Sequence, residues 1–152
     1  MTDYNPYSSD YDDQASRYKW HGPDVVLGLM YEFIESGQAL LDIGIGTGLS
    51  SMPFQKAGLS VFGIDGSAEM LAACRLKEFT EELIQHDINK LPLPYPNASF
   101  HHVISLGVFQ MLPDLTDLFG DVSRILKDLG AFGFTYGEHK PGANDGFKSI
   151  RD

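Results

Sequence analysis

The feature that most constrains this chain is an alternation: a short apolar run, a turn, then a segment with helical spacing, repeated along the sequence. The clearest run is Ala39-Leu40-Leu41-Asp42-Ile43, which stops at Gly44 and has the character of a strand buried on both faces. Leu49 to Ala57 follows as a helix closed by Gly58, with Pro53 early in it, where it removes a backbone bond or shifts the helix start. Ser60-Val61-Phe62-Gly63-Ile64-Asp65 predicts a second strand, and Ser67 is a good N-cap for a helix through Met70, Leu71 and Cys74. Leu83 to His86 predicts a third strand, residues 91–97 with their prolines a loop, and Val103 to Leu106 a fourth strand. Leu115, Leu118, Phe119, Val122, Ile125, Leu126 and Leu129 trace one helix face between Asp114 and Gly130, and Ala131 to Tyr136 is the fifth strand. Ahead of all these, Val26, Leu29, Met30, Phe33 and Ile34 share a helical spacing that ends at Gly37.

Strands alternating with helices through five repeats predict an α/β, three-layer αβα sandwich around a mainly parallel sheet. In such sheets ligands bind beyond the C-terminal strand ends, where the winding reverses. The candidate site is therefore in the turns after Asp42, Asp65, His86 and Leu106. The organisation expected is a Tyr-, Ser- and Asp-rich tail over residues 1–19, one core domain over 20–140 and a polar tail over 141–152. At 43% hydrophobic residues the chain can build a core. Its lone cysteine, Cys74, forms no internal disulfide and no Cys-rich zinc site, and no metal site is expected. A formal charge of −10 argues against nucleic acid as a partner, no apolar stretch is long enough for a membrane span, and the polar N-terminus is no signal peptide. These traits predict a cytoplasmic protein.

Gly44, Gly46 and Gly48 stand at alternate positions between the first strand and its helix, which lets a ligand lie against bare main chain near free helix N–H groups. The same turn also suits tight strand–helix packing. A dinucleotide fingerprint, G-x-G-x-x-G, fails because Leu49 stands where its third glycine belongs, and the Gly-Lys-Ser/Thr of a phosphate loop is absent. Asp65, ending the second strand, can accept hydrogen bonds from a ribose diol or cap the turn into the next helix. Asp87 carries the same two readings after the third strand.

Taken together, Asp42-Ile43-Gly44-Ile45-Gly46-Thr47-Gly48, then Val61 to Leu71, then His86-Asp87-Ile88 with Leu91-Pro92-Leu93-Pro94, then Arg124-Ile125-Leu126-Lys127-Asp128-Leu129-Gly130, resemble the ordered motifs of class I S-adenosylmethionine-dependent methyltransferases. The match covers roughly residues 38–136 and is most like the small-molecule enzymes of the ubiquinone/menaquinone type. The resemblance implies a Rossmann-like sheet in the order 3-2-1-4-5 and S-adenosyl-L-methionine as cofactor, released as S-adenosyl-L-homocysteine. It implies that Gly44, Gly46 and Gly48 line the methionine part with Asp42 near its ammonium, that Asp65 beside Gly66 holds the ribose, and that Met70 packs near the adenine. Asp87 and the Ile88 amide would meet the adenine ring, and Leu106 and Gly107 would flank the cofactor. Tyr11 to Trp20 resembles the N-terminal lid of these enzymes, where Tyr11 or Tyr18 would close over the cofactor.

The acceptor implied is a small molecule. Ser105-Leu106-Gly107-Val108 replaces the Asn-Pro-Pro-Tyr of enzymes that methylate base amino groups, and a cytosine-type Pro-Cys nucleophile is missing. No catalytic base is nominated; His86, His101 and His139 fit surface or structural roles better, and His101-His102 makes a poor metal pair because adjacent strand residues face opposite ways. Only a polar stretch follows Tyr136, so the family's last two strands are expected to be lacking and the fifth strand, with Phe132, Phe134 and Tyr136, to become an edge. That edge implies self-association along the strand or a longer natural chain. The alternative function is a non-catalytic cofactor-binding module or regulatory subunit; a dehydrogenase-like domain is a weaker third.

Overall fold

The protein is described by a computed structural model covering Asp12, Asp13 and residues 20–137. In chain order the elements are α1 (Gly22–Met30), a 3-10 turn (Tyr31–Phe33), β1 (Ala39–Ile43), α2 (Met52–Lys56), β2 (Ser60–Asp65), α3 (Ala68–Arg75) and β3 (Thr80–Gln85). Then come β4 (Phe100–Ser105), a second 3-10 turn (Phe109–Met111), α4 (Thr116–Ile125) and β5 (Leu126–Phe134). The strands form one sheet in the order β3-β2-β1-β4-β5, every pair parallel.

Because side chains alternate across a pleat, neighbouring residues of each central strand enter different cores. On one face Leu40, Val61 and Ile104 pack with Val26 and Met30 of α1, Phe54 of α2, and Leu71 and Cys74 of α3. On the other, Leu41, Ile43, Ile64 and Val103 pack with Leu118, Val122 and Ile125 of α4. Three layers result, with β1 in the middle and the C-terminal strand ends gathered on one edge. Pro53 falls in the first turn of α2, where its missing N–H removes no helical bond.

Several local expectations change. Helix α4 stops at Ile125, although Leu126 and Leu129 continue its apolar spacing. The carbonyls of Arg124 and Ile125 accept from the Ala98 and Ser99 amides ahead of β4, and Leu126 pairs with Phe100 as a strand residue. Leu129 is fully exposed with φ +66°, at an irregularity in the β4–β5 pairing. Strand β3 starts at Thr80 and β4 at Phe100, earlier than the apolar runs suggest, because Thr80 and Glu82 pair with β2 and Phe100 and His102 pair with their neighbouring strands whatever their side chains. Leu29 and Phe33 share the spacing of Val26 and Met30 yet stay exposed. Helix α1 crosses β5 at Gly133, where a Cβ would lie 2.3 Å from Met30 Sδ, so the next residues around the helix overhang the sheet edge. A cavity of about 290 Å³ opens there between Leu29, Phe33, Ala131 and Phe134.

The histidines stitch the N-terminal end of the sheet. His101 Nδ1 accepts the Ala39 amide at 3.0 Å, and the buried His102 accepts the Ala131 amide on Nδ1 and meets Gln38 Oε1 at 2.6 Å through Nε2. That arrangement fixes the proton of His102 on Nε2, and burial holds its pKa below the ordinary value, with His101 adding to the effect.

Candidate functional site

At the opposite edge, the turn after β1 folds back across the end of β2: the Gly44 and Ile45 amides both donate to the Ile64 carbonyl, at 2.8 and 3.0 Å. Gly44, Gly46 and Gly48 hold φ of +76°, +56° and +95°, a region where other residues are strained. Their surroundings differ. A Cβ on Gly44 would lie 2.4 Å from Val108 Cγ2, and one on Gly48 2.6 Å from Phe79 Cζ and 3.0 Å from Cys74 Sγ. On Gly46 the nearest atom would be Met70 Cε at 4.0 Å. The outer two glycines thus allow tight packing, and the middle one presents open main chain.

Asp65 joins this loop to the next helix. Its Oδ2 accepts the Gly46 amide and its Oδ1 the Ser67 amide, each at 2.8 Å, while Ser67 Oγ caps the Met70 amide at 3.2 Å. Burial raises the Asp65 pKa, opposed by those two amides. Each carboxylate oxygen keeps a lone pair for a further donor.

Asp42 is the outlier. It lies opposite Gly63 in β2 and Ile104 in β4, is fully buried, and among the described residues neither oxygen has a hydrogen-bond partner of ordinary geometry. Burial pushes its carboxyl up to about 7; the nearby Ser51 hydroxyl works against this and the charge of Asp65 adds to it. The Ser51 hydroxyl is itself buried without a good partner. Unpaired groups of this kind are costly in a core and are a signature of functional sites.

The remaining candidates line the same edge. Gly66 accepts Gln85 Nε2 through its carbonyl at 3.1 Å. Asp87 takes the Asn89 amide and side-chain nitrogen on Oδ1, both at 3.0 Å, which hold its carboxyl below the ordinary range, while Ile88 packs on the second core. Leu106 is buried; Gly107, at φ +73°, donates its amide to Thr135 Oγ1 at 2.8 Å. The fold thus brings Asp42, the glycine loop, Asp65, Gly66 and Met70 together, with Asp87, Ile88, Leu106 and Gly107 on the adjoining strand ends. His86 is held by the Lys90 carbonyl at 2.7 Å, and His101 lies at the far end of the sheet. Tyr11, Tyr18 and His139 lie outside the described residues, as do the two terminal tails apart from Asp12 and Asp13. Among the described residues no group of three or more His, Cys, Asp or Glu could hold a metal, and no helix is long and apolar enough to cross a membrane.

Sequence reading missed Ser51, Val108 and the contact of Thr47 with Asp12. Nothing local marks them, since each acts on a residue brought to it by the fold. The Arg124 segment, in turn, has a structural explanation. Its guanidinium bonds the Leu93 and Tyr95 carbonyls at 3.2 and 2.7 Å and pairs with Asp121, pinning the proline loop beneath β4.

Residues 41–134 match the family model described as a methyltransferase domain. A ubiquinone biosynthesis O-methyltransferase of Paramagnetospirillum magneticum is 34% identical over 97 residues, spanning 63% of this chain and 39% of the relative. Among solved structures, the Haloferax volcanii complex between the Trm112 methyltransferase activator and a methyltransferase matches with TM-score 0.73 and 28% identity, over 84% of this chain and 57% of that one. An S-adenosylmethionine-dependent methyltransferase from Mesorhizobium loti matches with TM-score 0.62 and 28% identity, over 74% and 55%. The chain spans about two-fifths of the length of the first curated relatives it matches.

Proposed function

Because the chain belongs to the methyltransferase domain family, we propose that it transfers a methyl group from S-adenosyl-L-methionine to a small-molecule acceptor, in the cytoplasm. The observation that carries this reading is Asp42: a buried, unpaired carboxylate beneath an open stretch of main chain suits a cationic ligand. When bound, the cofactor supplies an activated methyl on a positively charged sulfur and leaves as S-adenosyl-L-homocysteine.

The chain's own residues then have distinct tasks. Asp42 compensates the cofactor's positive charge, aided by the acidity of the whole chain. The open face of Gly46, between the packed Gly44 and Gly48, admits the ligand against the backbone. Asp65, with lone pairs left on both oxygens, accepts the ribose hydroxyls next to Gly66. Met70 and Ile88 flank the adenine, Asp87 accepts its amino group, and Leu106 and Gly107 close the far side. Exposed Tyr136, next to the Thr135 that holds Gly107, and exposed Met111, at the end of the 3-10 turn after Gly107, give the acceptor side an apolar surface suited to a hydrophobic ring. Catalysis then comes chiefly from holding acceptor and methyl in line, an effect worth about 7–11 kcal/mol at best.

Calorimetry with S-adenosyl-L-homocysteine against NADH tests the assignment. Heat and thermal stabilisation are expected with the first and neither with the second; the opposite pattern would favour a dehydrogenase-like domain. Methyl transfer across a panel of hydroxylated small molecules then tests the acceptor class. A second reading, a binding module that works with a partner, is favoured by the Haloferax relative's complex with an activator and by β5, whose described pairing is with β4 alone. Cofactor binding without turnover on any acceptor, together with self-association along β5 seen by light scattering, would support it.

A further inference from the structure

Thr47 is the one residue with a side chain among Gly46, Thr47 and Gly48, and that side chain is buried. Its hydroxyl donates to Oδ1 of Asp12, 35 positions away in the sequence. The other oxygen of Asp12 pairs with Nζ of Lys77, just past the end of α3. Lys77 Nζ is buried, and among the described residues its charged partner is Asp12. The two glycines beside Thr47 have left-handed backbones and no side chains with which to anchor the loop. The loop is therefore tied twice at adjacent residues: the Gly46 amide to Asp65, and the Thr47 hydroxyl to Asp12. Asp65 also holds the first turn of α3 through Ser67, and Asp12 reaches the region past its last turn through Lys77.

We infer that Asp12 is a positioning residue: by bridging Thr47 and Lys77 it holds the glycine loop in the geometry that presents the Gly46 main chain and Asp65 to the cofactor. The inference rests on the proposed function for its ligand, but the tie itself is a property of the free protein. A loop already held in its binding geometry loses less freedom when the ligand arrives, which strengthens binding without any contact to it.

Two variants separate positioning from charge balance. Thr47→Val removes the hydroxyl and leaves the ion pair. Asp12→Ala combined with Lys77→Met removes the acceptor for Thr47 together with the ion pair and strands no buried ammonium, so the variant keeps its fold. Amide hydrogen exchange of the ligand-free proteins is expected to quicken about fivefold or more at Gly46, Gly48 and Met52 in both variants, with β1 and β4 unchanged, and S-adenosyl-L-homocysteine affinity to fall by a similar factor. Unchanged loop exchange would reduce Asp12 to a counter-ion and overturn the inference, as would faster exchange with parental affinity. Should the parent fail to bind S-adenosyl-L-homocysteine, the proposed function falls, while the exchange data still decide whether Asp12 holds the loop.

Discussion

Asp42→Asn should make this protein more stable at neutral and alkaline pH while weakening its proposed site. An ordinary aspartate, such as Asp42 in the unfolded chain, titrates at 3.8, and burial in the folded protein carries it to about 7. In that window the folded state holds a proton that the unfolded state has released, so stability falls as pH rises from 3.8 towards 7 and then levels off. A shift of this size corresponds to about 4 kcal/mol of lost stability once both states are ionised, and to about 1–2 kcal/mol at pH 5. Asparagine is neutral throughout and can donate to the unpartnered Ser51 hydroxyl. Urea denaturation of parent and variant at pH 5, 6, 7 and 8 should give a difference that grows with pH in the variant's favour. A cation bound beside Asp42 restores its ionised form, so S-adenosyl-L-homocysteine binding near pH 6 should release a proton. Calorimetry in buffers of different ionisation enthalpy detects that release, and Asp42→Asn should abolish it along with much of the affinity. A stability difference that stays flat from pH 5 to 8, or a variant weaker at every pH, would refute the assignment of Asp42 as a stored, uncompensated charge.

The glycines give a second test: Gly44→Ala combines a left-handed backbone with a clash against the stiff Val108 and should cost about 2–4 kcal/mol, whereas Gly46→Ala, with open space, should cost about 1–2. Val108→Ala should recover part of the first loss and none of the second, by chemical denaturation. His102 has the opposite pH sign to Asp42: its depressed folded pKa means that stability is complete above 6.5 and declines as pH falls from there through the folded value. His102→Phe, measured between pH 4 and 7, should flatten that decline. Arg124→Met frees the Leu93 and Tyr95 carbonyls and unpairs Asp121, so a loss of about 2 kcal/mol and earlier proteolytic cutting within residues 91–97 are expected.

Local pattern was enough for the parts of this protein that are decided locally. The β2 run from Ser60 to Asp65, the cap at Ser67 and the glycine spacing at 44, 46 and 48 could all be read from residue types, because a strand buried on both faces and a capped helix leave their mark on adjacent positions, whereas the sheet order came with the family resemblance. What tertiary structure decided were the cases where a distant partner outbids the local choice. Leu126 and Leu129 fit the α4 face, but amides of Ala98 and Ser99 take the last carbonyls and turn the chain into β5. Leu29 and Phe33 look like core and lie exposed, because among the described residues the sheet they would cover has β5 as its last strand. The charge state of Asp42, the packing of Gly44 on Val108 and the bridge from Asp12 to Thr47 follow the same rule: desolvation and contact depend on what the fold brings near, and spacing along the chain carries no record of it.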